Sequence, residues 1–248
     1  MLYPNGDYYE KIRVEYDECD FMGRPKLSAV LKRFSDIASN DYDRMGFSHD
    51  FLFEHGFVYL LTRISVKVSG MSSAGREAEL ATYERGAKGV QVFRDYYITA
   101  GGETLLTGKT AWVICDPTSR KILKPETCIK PTPVNFGHEP DCPEPKRIRL
   151  PENPEYAGKR RVVYSDLDAN GHVFNAVYAD IACDFLPFEL LSHNISEFFI
   201  DFSREAKIGN ELEIYRSIEG DTAVVVGMLD GLPSFETEFH FSGAEEKA

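Results

Sequence analysis

No stretch of this 248-residue chain approaches 18 consecutive apolar residues, so a membrane-spanning helix is not expected. The opening Met1-Leu-Tyr-Pro-Asn-Gly-Asp7 has neither a basic n-region nor an apolar h-region, so no secretory signal is expected. Cysteine is sparse. Cys19, Cys115, Cys128, Cys142 and Cys183 are odd in number and widely spaced, which suits reduced thiols in a cytoplasm better than a disulfide framework. Cys128, His138 and Cys142 match no compact zinc pattern, and neither a metal nor a cofactor is expected. Positive charge is also short, with 28 Lys and Arg against 40 Asp and Glu. A net charge of −12 disfavours nucleic acid as a partner, although a local basic patch could still meet an acidic protein. The Gly-x-Ser-x-Gly elbow is missing, which disfavours a serine esterase.

What the chain does have is a core and many rings. Hydrophobic residues make up 43%, and 13 Tyr with 17 Phe suit strands or an apolar ligand cavity, core packing being the plainer use. The alternating run Tyr9–Tyr16 predicts a strand, and Asp17–Lys26 a polar turn. Val30, Leu31, Phe34, Ile37, Ala38, Tyr42 and Met45 then recur at spacings of three and four, predicting a helix with one apolar stripe that stops near Gly46. The period changes to two beyond it, giving expected strands at about 57–69, 76–84, 88–99 and 103–115. A helix followed by antiparallel strands indicates an α+β layer.

Nine of the 13 prolines fall between Asp116 and Gly158, which predicts a linker. The plan then repeats. Arg160–Tyr164 reads as a strand and Ser165–His172 as a turn. A helix is expected through Val177, Tyr178, Ile181, Ala182 and Phe185 to near Pro187, then strands at about 195–203, 211–219, 222–229 and 233–241. Tyr16-Asp-Glu-Cys-Asp-Phe-Met-Gly-Arg24 aligns without a gap on Tyr164-Ser-Asp-Leu-Asp-Ala-Asn-Gly-His172. Val68-Ser69 and Gly75 likewise parallel Phe202-Ser203 and Gly209, so two copies of one fold are expected. The division is 1–116, a linker 117–158, and 159–248.

The copies differ where chemistry can sit. Asn170 faces Met22 and His172 faces Arg24, so only the second copy carries Asp168, Asn170 and His172 at alternate positions. A histidine can take a proton near neutral pH, and an amide can hold a water or a carbonyl oxygen ahead of a helix start. An Asx turn and helix cap is the competing role. Glu205 could activate water or polarise His172, or could be a solvated residue paired with Arg204 or Lys207. Cys183 is expected to be a buried core thiol.

The run Tyr164–Tyr178, with Ile12–Asp20 and Ser203–Ala206, resembles the acyl–acyl-carrier-protein (acyl-ACP) thioesterases, the plant-type enzymes and their bacterial relatives, over nearly the whole chain. The resemblance implies two tandem hotdog domains, each a long helix wrapped by an antiparallel sheet. It also implies hydrolysis of a phosphopantetheine-linked acyl thioester on acyl carrier protein. The family's catalytic Asp, Asn, His and Glu carry over to Asp168, Asn170, His172 and Glu205. Plant members commonly have Cys after that Glu. Here Ala206 stands there, which favours direct attack by water.

The first copy is then expected to shape an acyl tunnel, with Phe34, Ile37, Tyr42 and Met45 as wall or interdomain core. Lys146, Arg147, Arg149, Lys159, Arg160 and Arg161 offer a carrier-docking patch. A hotdog thioesterase acting on coenzyme A esters and a silent acyl-binding protein are the alternatives. Two hotdogs in one chain make a monomer possible, and a homodimer is equally compatible.

Overall fold

The computed structural model describes residues 8–70, 73–130 and 139–243. Its strands are β1 (Tyr8–Arg13), β2 (Val58–Val68), β3 (Glu77–Lys88), β4 (Gln91–Ala100), β5 (Glu103–Cys115), β6 (Ile122–Leu123), β7 (Glu155–Arg161), β8 (Asn194–Phe202), β9 (Glu211–Glu219), β10 (Thr222–Leu229) and β11 (Leu232–Ser242). The helices are α1 (Leu27–Arg44), α2 (His49–Glu54), α3 (Val177–Asp184) and α4 (Phe188–Leu191).

The strands form one antiparallel sheet in the order β1-β3-β4-β5-β2-β8-β11-β10-β9-β7, with β6 on β5. That order is symmetric about its centre. Each half repeats one pattern, and β2 meets β8 in a register that sets Ile64 against Ile200 and Val66 against Phe198. Arg63 and Asp201 close the same seam with an ion pair at 3.1 Å. The two helix-and-sheet units are the two copies that the repeat implied, in the tandem double hotdog arrangement that the family resemblance implied.

The stripe of α1 buries Leu27, Val30, Leu31, Phe34 and Ile37. Its end is a Schellman turn. Gly46 adopts φ +84°, its N–H reaches the Asp43 carbonyl, and the Phe47 N–H reaches the Tyr42 carbonyl. Helices α1 and α3 pack against each other, so Phe34, Ile37, Ile181, Phe198 and Phe239 belong to one shared core.

The strand expected over Tyr9–Tyr16 ends at Arg13, α2 fills a stretch where no element was expected, and three further elements differ from the sequence expectation. The strand expected at 160–164 runs from Glu155 to Arg161, and a 3-10 turn occupies Tyr164–Asp166. The second helix has only eight residues, and Pro187 starts a new helical turn rather than only ending the old one. The proline-rich stretch lacks long elements but is fastened down. Thr107 Oγ1 donates to the Asp141 carbonyl at 2.9 Å, Lys109 Nζ holds Glu144 at 2.7 Å, and Ile148 packs with Phe199 and Val226. Pro131, Pro133 and His138 lie outside the described residues. Among the described residues no helix is long and apolar enough to cross a membrane.

Candidate active site

Both copies build the same loop. In the second, Asp168 Oδ1 accepts the backbone N–H groups of Asn170 at 2.8 Å and His172 at 3.2 Å, and the Asp168 N–H meets the His172 carbonyl at 2.8 Å. In the first, Asp20 Oδ1 accepts from Met22 at 2.8 Å and Arg24 at 2.9 Å, with the Asp20 N–H on the Arg24 carbonyl at 2.7 Å. Gly171 and Gly23 turn each loop at φ +75° and +77°, where a Cβ would be strained. Asp166 braces the second loop through Arg160 at 2.8 Å, and Glu18 braces the first through Arg33 at 2.6 Å.

This geometry corrects one expectation. Asp168 makes an Asx turn, but neither it nor Asn170 caps α3. The helix begins at Val177 behind Ala176, which supplies no side-chain cap, and Val173 to Ala176 separate it from His172. The dipole of the helix start is therefore more remote from the imidazole than adjacency in sequence implies.

Glu205 is brought to the loop by short-range pairing. His172 forms a bridge with Lys207, and the Val173 N–H donates to the Ala206 carbonyl at 2.9 Å. The Ala206 N–H donates to the Tyr178 hydroxyl at 3.1 Å, and the Ala206 methyl is fully buried. His172 Nδ1 then stands 3.6 Å from Glu205 Oε2. That separation suits an ion pair or a bridging water better than a direct hydrogen bond. The other carboxylate oxygen accepts from Arg120 Nη2 at 2.7 Å.

Arg120 is the residue that sequence reasoning missed. It, and not the expected Arg204 or Lys207, holds Glu205, and Arg204 Nη1 turns instead to the Leu229 carbonyl. It comes from the first half, on the turn after β5, with φ +59°. Asp116 shapes that turn by accepting from Thr118 N at 3.1 Å and Ser119 N at 2.6 Å. A positive φ at a non-glycine residue is sparsely populated backbone, and here it aims Arg120 at Glu205. Asn170 is exposed, and its Nδ2 lies 3.5 Å from Asp168 Oδ2, so the amide is held only weakly.

The segment between the loop and α3 meets α1. Phe174, Asn175 and Ala176 line a small void with Phe34, Ser35 and Trp112. Ser35 and Trp112 also line a 410 Å³ pocket that reaches Tyr42, Tyr59 and Arg94 along the far half of α1. Of the four expected wall residues, Tyr42 lines this pocket and Phe34 the void. Ile37 is in the shared core, and Met45 lines neither. A second pocket of 640 Å³ lies beside Asp20 and Arg24 of the first-copy loop. Arg24 there pairs with Asp20 at 2.7 Å and donates to the Leu191 and His193 carbonyls, both at 2.6 Å, so it ties the two units together where the second copy has its imidazole. Cys183 lines that pocket, and burial pushes its thiol up to about 12, so it is no nucleophile.

The six basic residues separate into two kinds. Lys146, Lys159 and Arg160 are already paired, with Glu238 at 2.6 Å, Glu211 at 2.6 Å and Asp166 at 2.8 Å. Arg147, Arg149 and Arg161 are exposed. Among the described residues no cluster of three or more His, Cys, Asp and Glu side chains could hold a metal.

Comparison with known proteins agrees with this architecture. A family model described as the acyl-ACP thioesterase N-terminal domain matches residues 5–128, and one described as the acyl-ACP thioesterase C-terminal domain matches residues 152–230. An acyl-ACP thioesterase from Bacteroides thetaiotaomicron is similar in structure, with TM-score 0.83 and 20% identity over 95% of this chain and 98% of that one. The 12:0-ACP thioesterase from Umbellularia californica has TM-score 0.80 and 18% identity over 98% of this chain and 99% of that one. No curated protein matches.

Proposed function

The chain belongs to the acyl-ACP thioesterase family and releases fatty acid from acyl-ACP, and from that premise we propose that Glu205 and His172 activate the attacking water. The observation that carries the proposal is their 3.6 Å approach, with the second oxygen of Glu205 fixed by Arg120 at 2.7 Å. A water between imidazole and carboxylate gives up its proton to the pair as its oxygen bonds to the thioester carbon. The tetrahedral oxyanion then collapses, the C–S bond breaks, and the pantetheine sulfur leaves as a thiol with the proton returned from the pair. Asn170 is the oxyanion donor in this account and Asp168 orders its loop. Removing one such donor should cost about 10²–10³ in rate. With Ala206 after the glutamate, no thiol is available there for an acyl-enzyme.

We divide the chain into an N-terminal hotdog, 1–116, that shapes the acyl site, a fastened linker, 117–158, and a catalytic hotdog, 159–248. The acyl chain runs from the loop past Asn175 into the 410 Å³ pocket, with Phe34 and Tyr42 on its wall. The carrier docks on the exposed arginines 147, 149 and 161, in a cytoplasmic setting. One chain suffices as the catalytic unit, because it already pairs two hotdogs. Free fatty acid release should be compared for one acyl group on acyl carrier protein and on coenzyme A. Faster release from the carrier protein is the expected result; equal or faster release from coenzyme A would reassign the substrate.

A further inference from the structure

The pocket that takes the acyl chain is apolar along Ala38, Leu52, Phe57, Val58 and Val92, yet it has a charged floor. Glu84 and Arg94 sit directly opposite each other on β3 and β4. Both are buried, at 7% and 4% exposure. Arg94 Nη1 donates to Asp41 Oδ2 at 2.8 Å and Thr82 Oγ1 at 3.2 Å, and the guanidinium lies 5.1 Å from the centre of the Tyr42 ring. Its Nη2 has no hydrogen-bond partner among the described residues. Glu84 Oε2 accepts the Tyr42 hydroxyl, whose proton is held because burial and the neighbouring carboxylate push the phenol far up. Among the described residues Glu84 Oε1 accepts no hydrogen bond, and Lys130 Nζ stands 3.6 Å from it.

Buried polar atoms are nearly always bonded, and one left without a partner carries its full desolvation cost. Three buried polar atoms on residues lining this pocket lack a hydrogen-bond partner among the described residues: the Arg94 Nη2 donor and the Glu84 Oε1 acceptor, on residues that face each other across the sheet, and the Tyr59 hydroxyl, which can do either. A hydroxyl is the smallest group that both accepts and donates. A plain methylene chain would leave all three atoms unpaired and would exclude the water that could serve them.

Building on the tunnel assignment above, we propose that the preferred substrate is an acyl chain bearing a hydroxyl on its distal half, bound between Arg94 Nη2 and Glu84 Oε1. Depth follows from α1. Ser35 lines the void beneath Asn175, and Tyr42 reaches the floor seven residues later, about 10 Å along the helix or roughly eight methylenes. With the carbon beside Ser35 taken as about C2 to C4, close behind the thioester carbonyl, the hydroxyl falls at roughly C10 to C12.

The test uses the full-length enzyme and two acyl-ACP substrates of equal length, one unsubstituted and one hydroxylated in that range. The hydroxylated substrate should show kcat/KM at least about tenfold higher, as for sites built to bond a substrate hydroxyl. Glu84→Met and Arg94→Lys should each bring the ratio towards one, the second keeping a charge for Asp41 if the first fails to fold. Equal rates, or a preference for the unsubstituted chain in the wild type, overturn the hydroxyl site and leave the thioesterase reading standing. A wild-type preference unchanged in the folded variants overturns the assignment to this pair. If neither substrate is hydrolysed, the thioesterase reading fails and the inference falls with it.

Discussion

Replacing Arg120 with Ala separates positioning from stability. The ion pair with Glu205 is solvent-facing, its side chains being 52% and 38% exposed. Such pairs contribute about 0–1 kcal/mol to folding, so Tm should fall by no more than about 2–4 °C in a chain of this size. Catalysis should respond more. Without the guanidinium, one oxygen of Glu205 loses its 2.7 Å anchor and the carboxylate can rotate away from its 3.6 Å approach to His172. A misplacement of about 1 Å costs about 10² in rate. Steady-state hydrolysis of acyl-ACP should therefore show kcat down by about 30–100-fold with KM little changed, and Arg120→Lys should recover part of it. Because Arg120 acts through Glu205, adding Arg120→Ala to Glu205→Ala should cost almost nothing more. A kcat within about twofold of wild type in the folded single variant would refute the positioning role.

Grafting the second loop onto the first, Met22→Asn with Arg24→His, should create no second site, since Met71 stands opposite Glu205 in the repeat. It should instead lower urea stability by about 2–3 kcal/mol, because Arg24 loses charged bonds to Leu191 and His193. Glu144 is held down to about 2 chiefly by its hydrogen bond from Arg85, so its stabilising effect is complete above about 4.5 and lost as pH falls through about 2. Glu144→Gln should accordingly lower the urea midpoint at neutral pH and match wild type near pH 2. Reversing charge at Arg147 and Arg149 should raise KM for acyl-ACP and weaken its salt dependence, measured between low and high ionic strength. A KM indifferent to both changes would remove these arginines from docking.

Periodicity exposed most of this fold. The changes of period at Gly46 and after Pro187 delimit elements whose hydrophobic faces are continuous, and β2 to β5 and β8 to β11 fall close to the expected spans. The loop was legible because Asp168 and Asp20 bond their own neighbours, a local device that the repeat displays twice. Arg120 was not legible. It meets Glu205 across 85 residues through a turn with positive φ, and neither its own segment nor the loop motif encodes that encounter. The charged floor was hidden for the same reason, since Glu84 and Arg94 read as ordinary polar positions until strand register sets them face to face. The linker stayed obscure because proline shows where regular structure stops, not what the extended chain packs on.

The central claim is that His172 and Glu205 activate water as a pair. Its most direct test is turnover of acyl-ACP by His172→Ala and Glu205→Ala, with carrier binding measured on the same preparations. Each variant should lose about 10²–10⁴ in kcat while its binding constant stays within a few-fold of wild type. Near-normal turnover in either folded variant would remove that residue from the mechanism.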